Sequence, residues 1–179
     1  MLSQFAYSEG FVYVSRLNII EDFKELYQQR EFTKLIPRIR FKGEKAVGDG
    51  VTREVFSSFF HEISKSFDGN EAKVPYTDRI TDDDLLNLFG LVTTHAFILF
   101  GMFPIQLSQA FVLHMLCKKA ADEILIENFM QYLHTGEARI VRSSIITKES
   151  FDPFIVSDIL ADFGLNALPN NDNIKGLIV

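Results

Sequence analysis

Residues 38–67 read RIRFKGEKAVGDGVTREVFSSFFHEISKSF, and within them the apolar spacing changes once, from every second residue to every third or fourth. Ile39 and Phe41 alternate with Arg40 and Lys42, the pattern of a short strand with one apolar side. Gly43, Gly48 and Gly50 break the alternation. From Thr52 onward the apolar residues stand at Val55, Phe56, Phe59, Phe60, Ile63 and Phe67, spaced as the buried face of an amphipathic helix. The segment is therefore a strand, a glycine turn and a helix. Glu44, Asp49, Arg53 and Glu54 crowd the turn, and a bent backbone leaves polar groups that need partners. These charges are read as a structural clamp, with Arg53 as its partly buried, paired cation, rather than as catalytic groups.

Upstream, Phe11, Tyr13 and Val14 suggest a short edge strand. Asn18 and Glu21 outline a capping box for a helix carrying Ile19, Ile20, Phe23, Leu26 and Tyr27 and running to about Gln29. Downstream, residues 68–78 are polar, include Gly69 and Pro75, and read as an exposed loop. Thr81 then caps a helix over residues 85–102, with Asp82, Asp83 and Asp84 at its positive end and Ile80 stapled to Leu85. Apolar residues occupy nearly every angle of this helix, so it is expected to be central and covered on most sides. Asn87, Thr93, Thr94 and His95 interrupt it and Pro104 follows, which favours a buried helix over a membrane span.

Ser108 caps a further apolar helix through Met115 to about Lys119. Residues 124–133 form another, closed by Gly136, and residues 137–147 read as a connection. Asp152 and Pro153 start a helix over 153–163, stopped by Gly164 in the left-handed conformation with Leu165 against Leu160. A last helix begins near Asn171. Leu177, Ile178 and Val179 end it with no capping residue after them, so the sequence is expected to be truncated at its C-terminal end.

The composition bounds the function. With 179 residues, 47% of them apolar, the chain can bury a core, and its length suggests one domain spanning 1–179. A net charge of −6 argues against nucleic acid as the main partner, because phosphate binding needs clustered Lys and Arg. The single Cys117 excludes an internal disulfide and, with no basic, apolar leader in residues 1–13, points to the cytoplasm or nucleus. No membrane partner is expected. Cys117 falls in an apolar helix and reads as a small core hydrophobe. Of His61, His95, His114 and His134 only His61, beside Glu62, has a second ligand-type residue at metal spacing, which makes no convincing metal site, and His95 reads as a hydrogen-bonded core histidine. Gly48-Asp49-Gly50 lacks the Lys-Ser/Thr ending of a phosphate loop. No catalytic residue, metal or cofactor is assigned.

Taken together, these residues resemble the N-terminal lobe of HECT-type ubiquitin ligase domains. The resemblance rests on Ile39-Arg40-Phe41-Lys42-Gly43-Glu44, Val47-Gly48-Asp49-Gly50 and Arg53-Glu54-Val55-Phe56. It extends to Glu21-Asp22-Phe23, to Leu88-Phe89-Gly90-Leu91 leading to His95, and to Pro104-Ile105-Gln106-Leu107-Ser108, covering about residues 16–118. The glycine turn is one residue shorter than the family's usual form, and Leu91 stands where an Arg is common. The region after Lys119 is too short for the usual subdomain that recruits the ubiquitin-conjugating enzyme. There, residues 129–133, 159–164 and 169–178 look similar to divergent, degenerate HECT-like domains of vertebrates.

The resemblance implies a mainly α (α+β) fold, a HECT N-lobe-like helical domain with a few short strands. It implies a scaffold for ubiquitin transfer from a conjugating enzyme to an unknown protein substrate, with the thioester-forming cysteine lying in a C-terminal lobe beyond these residues. Gly43, Glu44, Asp49, Gly50, Arg53 and Glu54 map onto the family motif and are assigned to the structural joint. Phe129, Met130, Tyr132 and Leu133 are the candidate partner-binding surface, set against packing on the main core. The alternative is a degenerate HECT-like pseudo-enzyme that serves as a protein-interaction module.

Overall fold

The computed structural model describes residues 11–75, 83–146 and 151–179. They form a mainly helical fold with a few short strands: β1 (Phe11–Val14), α1 (Ile19–Tyr27), β2 (Arg38–Phe41), α2 (Asp49–Ile63), β3 (Phe67–Asp68), β4 (Val74–Pro75), α3 (Asp83–Phe100), α4 (Gln109–Met115), α5 (Asp122–Tyr132), α6 (Thr135–Ile146), α7 (Pro153–Ala161) and α8 (Ile174–Ile178). The chain divides into two compact units. Met1–Phe67 with Pro75–Ile105 make the first, and Asp68–Val74 with Gln106–Val179 make the second. Cooperative unfolding of both would make them the one domain expected from length.

In the first unit the expected edge strand forms and pairs in parallel with β2, in the register Phe11↔Arg38 to Val14↔Phe41. Ile39 and Phe41 turn inward, while α1 and α2 supply Phe23, Leu26, Val55, Phe56 and Phe59 to the same interior. The rings interlock: Phe23 stacks on Phe59 at 4.8 Å between centroids and meets Phe56 edge-on at 5.8 Å. Such geometry adds specificity to the area buried.

Four expectations for this unit need correction. The capping box at Asn18 is not made, because Asn18 sits at the N-cap with no side-chain hydrogen bond. Helix α2 starts at Asp49, about one turn before Thr52, with Gly48 at φ 120° before it. Helix α3 is not covered on most sides: Leu88, Phe89, Val92, His95 and Ala96 are buried, but Leu91, Phe97 and Ile98 are exposed, Ile98 by 74%. Its packing partners α1 and α2 reach one face, and apolar composition does not by itself summon a second layer. The helix also stops at Phe100 instead of Met102, since Gly101 adopts φ 64° and its N–H returns to the Phe97 carbonyl. The cap expected from Thr81, with Ile80 and Asp82, lies outside the described residues.

In the second unit the core is Met130, Leu133, Val141, Val156, Ile159, Leu160 and Ile174. Ser108 caps α4 by accepting from the Phe111 N–H, and Asp152 caps α7 by accepting from the Phe154 N–H with Pro153 at the first helical position, both as expected. Gly164 (φ 75°) ends α7, with the Gly164 N–H bonded to Ala161 O and the Leu165 N–H to Leu160 O. Of residues 137–147, expected as a connection, 137–146 belong instead to α6. Glu137 carries the missed signal: its carboxylate accepts from the His134 N–H, half of a capping box, while Val141 is buried on the inner face. The last helix begins at Ile174, after an Asn170 side chain that accepts from the N–H groups of Asp172 and Asn173.

The part of the expected 68–78 loop that is described is tied down. The N–H groups of Asn70, Glu71 and Ala72 bond to the carbonyls of Tyr132 and Gln131, so this segment closes the C-terminal end of α5. Gly69, at φ 109°, makes this possible: a Cβ there would lie 2.2 Å from Ala72 O and 2.8 Å from a Tyr132 ring carbon.

Candidate functional site

The strand–turn–helix joint is built from charges that converge across the glycine turn. Arg16, just after β1, donates from Nε to Glu44 Oε1 (2.7 Å) and from Nη2 to Glu44 Oε2 (3.2 Å) and Glu54 Oε1 (2.6 Å). Its guanidinium lies 3.6 Å over the Phe41 ring. One cation thus joins the turn, the first half of α2 and the end of β2. The hydrogen bonds with Glu44 first, and with Glu54 second, hold the Arg16 guanidinium even more firmly protonated than usual, and the same contact keeps the Glu44 carboxyl below its usual range. A second link joins β2 to α1: Lys42 Nζ bonds both Asp22 carboxylate oxygens at 3.1 Å, and Asp22 also accepts from the Ser15 N–H.

This corrects the assignment of the clamp cation. Arg53 does not pair with Glu44, Asp49 or Glu54; it is exposed, donates to the Phe100 carbonyl at 3.2 Å, and sits 4.9 Å from that ring's centroid. There it meets the negative end of α3, where a cation is favoured. Arg16 escapes any local spacing rule because it stands 28 residues from Glu44. Of the motif glycines, Gly43 (φ 85°) and Gly48 (φ 120°) carry the bend, whereas Gly50 lies within α2 and Asp49 opens it.

His95 is buried among Tyr27, Phe32 and Phe56, all edge-on to its ring. Its Nε2 lies 2.9 Å from the Leu35 carbonyl, which can only accept, so Nε2 carries the proton. Nδ1, 2.8 Å from the Tyr27 hydroxyl, is then the acceptor. Burial lowers the imidazole's tendency to take a second proton, partly countered by the Leu35 carbonyl, and burial pushes the Tyr27 phenol above its usual range. The arrangement is a neutral, fully satisfied core histidine, as expected from the sequence.

Cys117 is not in the core. It is exposed and adopts φ 54°, the left-handed position of a helix stop. The Lys118 N–H reaches Leu113 O (2.8 Å) and the Cys117 N–H reaches His114 O (2.9 Å), the paired bonds of a Schellman motif. Helix α4 therefore ends near Met115, one turn before Lys119, and swings the thiol outward.

The four residues proposed as a partner surface divide. Met130 and Leu133 are buried in the second unit's core. Phe129 and Tyr132 are half-buried, each edge-on to Phe163, and the Tyr132 hydroxyl donates to Asp68. The apolar side of this segment is core: Met130 on the last turn of α5 and Leu133, the extended residue that follows the helix, both turn inward. Among the described residues no group of His, Cys, Asp and Glu comes together to hold a metal ion, and no helix is long and apolar enough to cross a membrane. No family profile matches the chain, and no curated protein sequence matches it.

Proposed function

We propose that this chain is the N-lobe scaffold of a HECT-type ubiquitin ligase, holding surfaces for a ubiquitin-conjugating enzyme and ubiquitin while a cysteine outside these residues carries the thioester. The observation that supports the reading is the joint itself. The motif on which the resemblance rests folds as one unit, with Glu44 in the glycine bend and Glu54 on α2 converging on Arg16. A joint of this kind fixes the direction in which α2 leaves the strand, which is what a scaffold must do for parts that act elsewhere. Transfer through cysteine needs a thiolate within reach of both donor and acceptor, and the reading assigns that role to none of the residues of the joint.

Titration of labelled chain with a panel of ubiquitin-conjugating enzymes, charged and uncharged, tests this. Saturable binding to at least one member is the expected result. Absence of binding across the panel favours the second reading, a degenerate domain that serves protein contacts alone. That alternative draws on the exposed apolar side chains of the second unit, Met115 and Leu116 at the end of α4 and Phe154 and Ile155 on α7.

A further inference from the structure

We propose that the outward face of α3 is a self-association surface, on which a second copy of this chain lays its own α3 antiparallel about a two-fold axis. The inference is independent of the ubiquitin-transfer reading. The face is a stripe with coiled-coil spacing: Asn87, Leu91, Thr94 and Ile98 are all exposed, Ile98 by 74% and Leu91 by 45%. No Asp, Glu, Lys or Arg occurs from Asn87 to Phe100, so no charge on the stripe has to be stripped of water when an apolar neighbour covers it.

The helix carries both a hole and the side chain to fill it. A hollow of about 250 Å³ is lined by Asp84, Asn87, Leu88 and Leu91 on α3 and by Tyr27 and Gln28 on α1. Four residues at i, i+3, i+4 and i+7 make the hole into which a facing helix inserts one side chain. Ile98, the most exposed apolar residue of α3, stands two turns beyond Leu91 on the same stripe. Placing Ile98 of one copy in the hollow of an antiparallel second copy sets Leu91 opposite Thr94. The same operation returns the second copy's Ile98 to the first hollow, so one two-fold axis fills both. A parallel pair sets knob against knob and leaves both hollows empty.

Charge selects the same partner and the same direction. Asp84 is exposed in the first turn of α3. At the other end Arg53 donates to the Phe100 carbonyl and makes no ion pair among the described residues. Antiparallel pairing brings Asp84 of each copy to the Arg53 end of the other and aligns the two helix dipoles favourably. Knob, hole, acid and base all lie on one surface, so the surface is complementary to itself.

Sedimentation velocity of the full chain over a range of concentrations tests this. A monomer–dimer equilibrium is expected, with a dissociation constant on the order of 100 µM for an interface one helix wide. Ile98→Asp is expected to weaken it about tenfold or more, and Arg53→Glu or Asp84→Arg about threefold each, the smaller effects shrinking as salt is raised. Ile98 is exposed, so unchanged circular dichroism is expected of its variant. Mixing the Arg53→Glu chain with the Asp84→Arg chain is expected to restore association, since each then offers the other a matched pair at both ends. In this arrangement Thr94 lies within one turn of its symmetry mate and Asn87 about three turns from its own. In a chain carrying Cys117→Ser, Thr94→Cys is therefore expected to cross-link to itself on air oxidation, and Asn87→Cys is not. A chain that stays monomeric, leaving the face to a different protein, overturns the proposal. So does dimerisation that survives Ile98→Asp, or equal cross-linking at both positions.

Discussion

The two units solve the same problem with different materials. The first packs rings, with Phe23, Phe32, Phe41, Phe56 and Phe59 fully buried, and Phe32 and Phe56 set edge-on against a hydrogen-bonded His95. The second packs aliphatic side chains, Met130, Leu133, Val141, Val156, Leu160 and Ile174, and its aromatic contacts lie toward the margin at Phe129, Tyr132 and Phe163. Ring packing depends on orientation as well as volume, whereas aliphatic side chains tolerate repacking. The first unit should therefore respond sharply to truncation of a single ring, and the second more to backbone conformation, because its most constrained contact is at Gly69.

The largest expected effect tests that contrast directly. Phe59→Ala removes a ring stacked on Phe23 and should cost about 3–5 kcal/mol, against about 2–5 kcal/mol for Leu160→Ala in the second unit. Native-state hydrogen exchange reads both: Phe59→Ala should speed exchange in α1 and α2 more than in α5 and α7. Equal acceleration in both units would show that they unfold as one, and would end the contrast. Next comes Gly69→Ala, which places a Cβ 2.2 Å from a backbone oxygen at a φ of 109°. It should lower stability by about 2–4 kcal/mol in denaturant unfolding. A change near zero would mean that the segment over α5 moves aside freely.

His95 supplies the third and intermediate effect. Because burial depresses the folded imidazole below its ordinary value of 6.5, the unfolded chain binds the proton more readily than the folded one. Stability is thus fully present above about pH 6.5 and is lost as pH falls below it towards the folded value. Thermal midpoints measured across that window should fall with acidification, and His95→Gln should flatten this part of the profile. An unchanged slope in the variant would assign the pH dependence to other groups. The smallest effect has the opposite sign. Cys117→Gly places at φ 54° a residue that adopts this conformation without strain, and should stabilise the second unit by about 1 kcal/mol in the same denaturant assay. No gain would mean that the strain there is relieved in some other way.

Local chemistry is legible in the sequence. The change of period at the glycine turn, the caps at Ser108 and Asp152 and the stop at Gly164 all depend on residues within a few positions of one another. What is hidden depends on distance or on a substituted signal. Arg16 completes the joint from outside the motif, so spacing within residues 38–67 points to Arg53 instead. The end of α4 uses a Cys where a Gly would have announced it, and the same substitution disguises the exposure of Cys117. Helix α6 is obscured by Ile140, Val141, Ser143 and Ser144, whose propensities favour strands and turns, and tertiary packing of Val141 overrides them. For α3, composition shows that the helix is apolar but not how many neighbours cover it.

The segment Asp68–Val74 belongs to the second unit although more than thirty residues of the first separate it from Gln106 along the chain. A polypeptide beginning at Gln106 would therefore leave the carbonyls of Gln131 and Tyr132 without the amides that now meet them. Excising the second unit as a contiguous piece removes part of its own closure. A rearranged chain, with residues 68–74 grafted ahead of 106–179 by a short linker, is the shortest version expected to keep it whole.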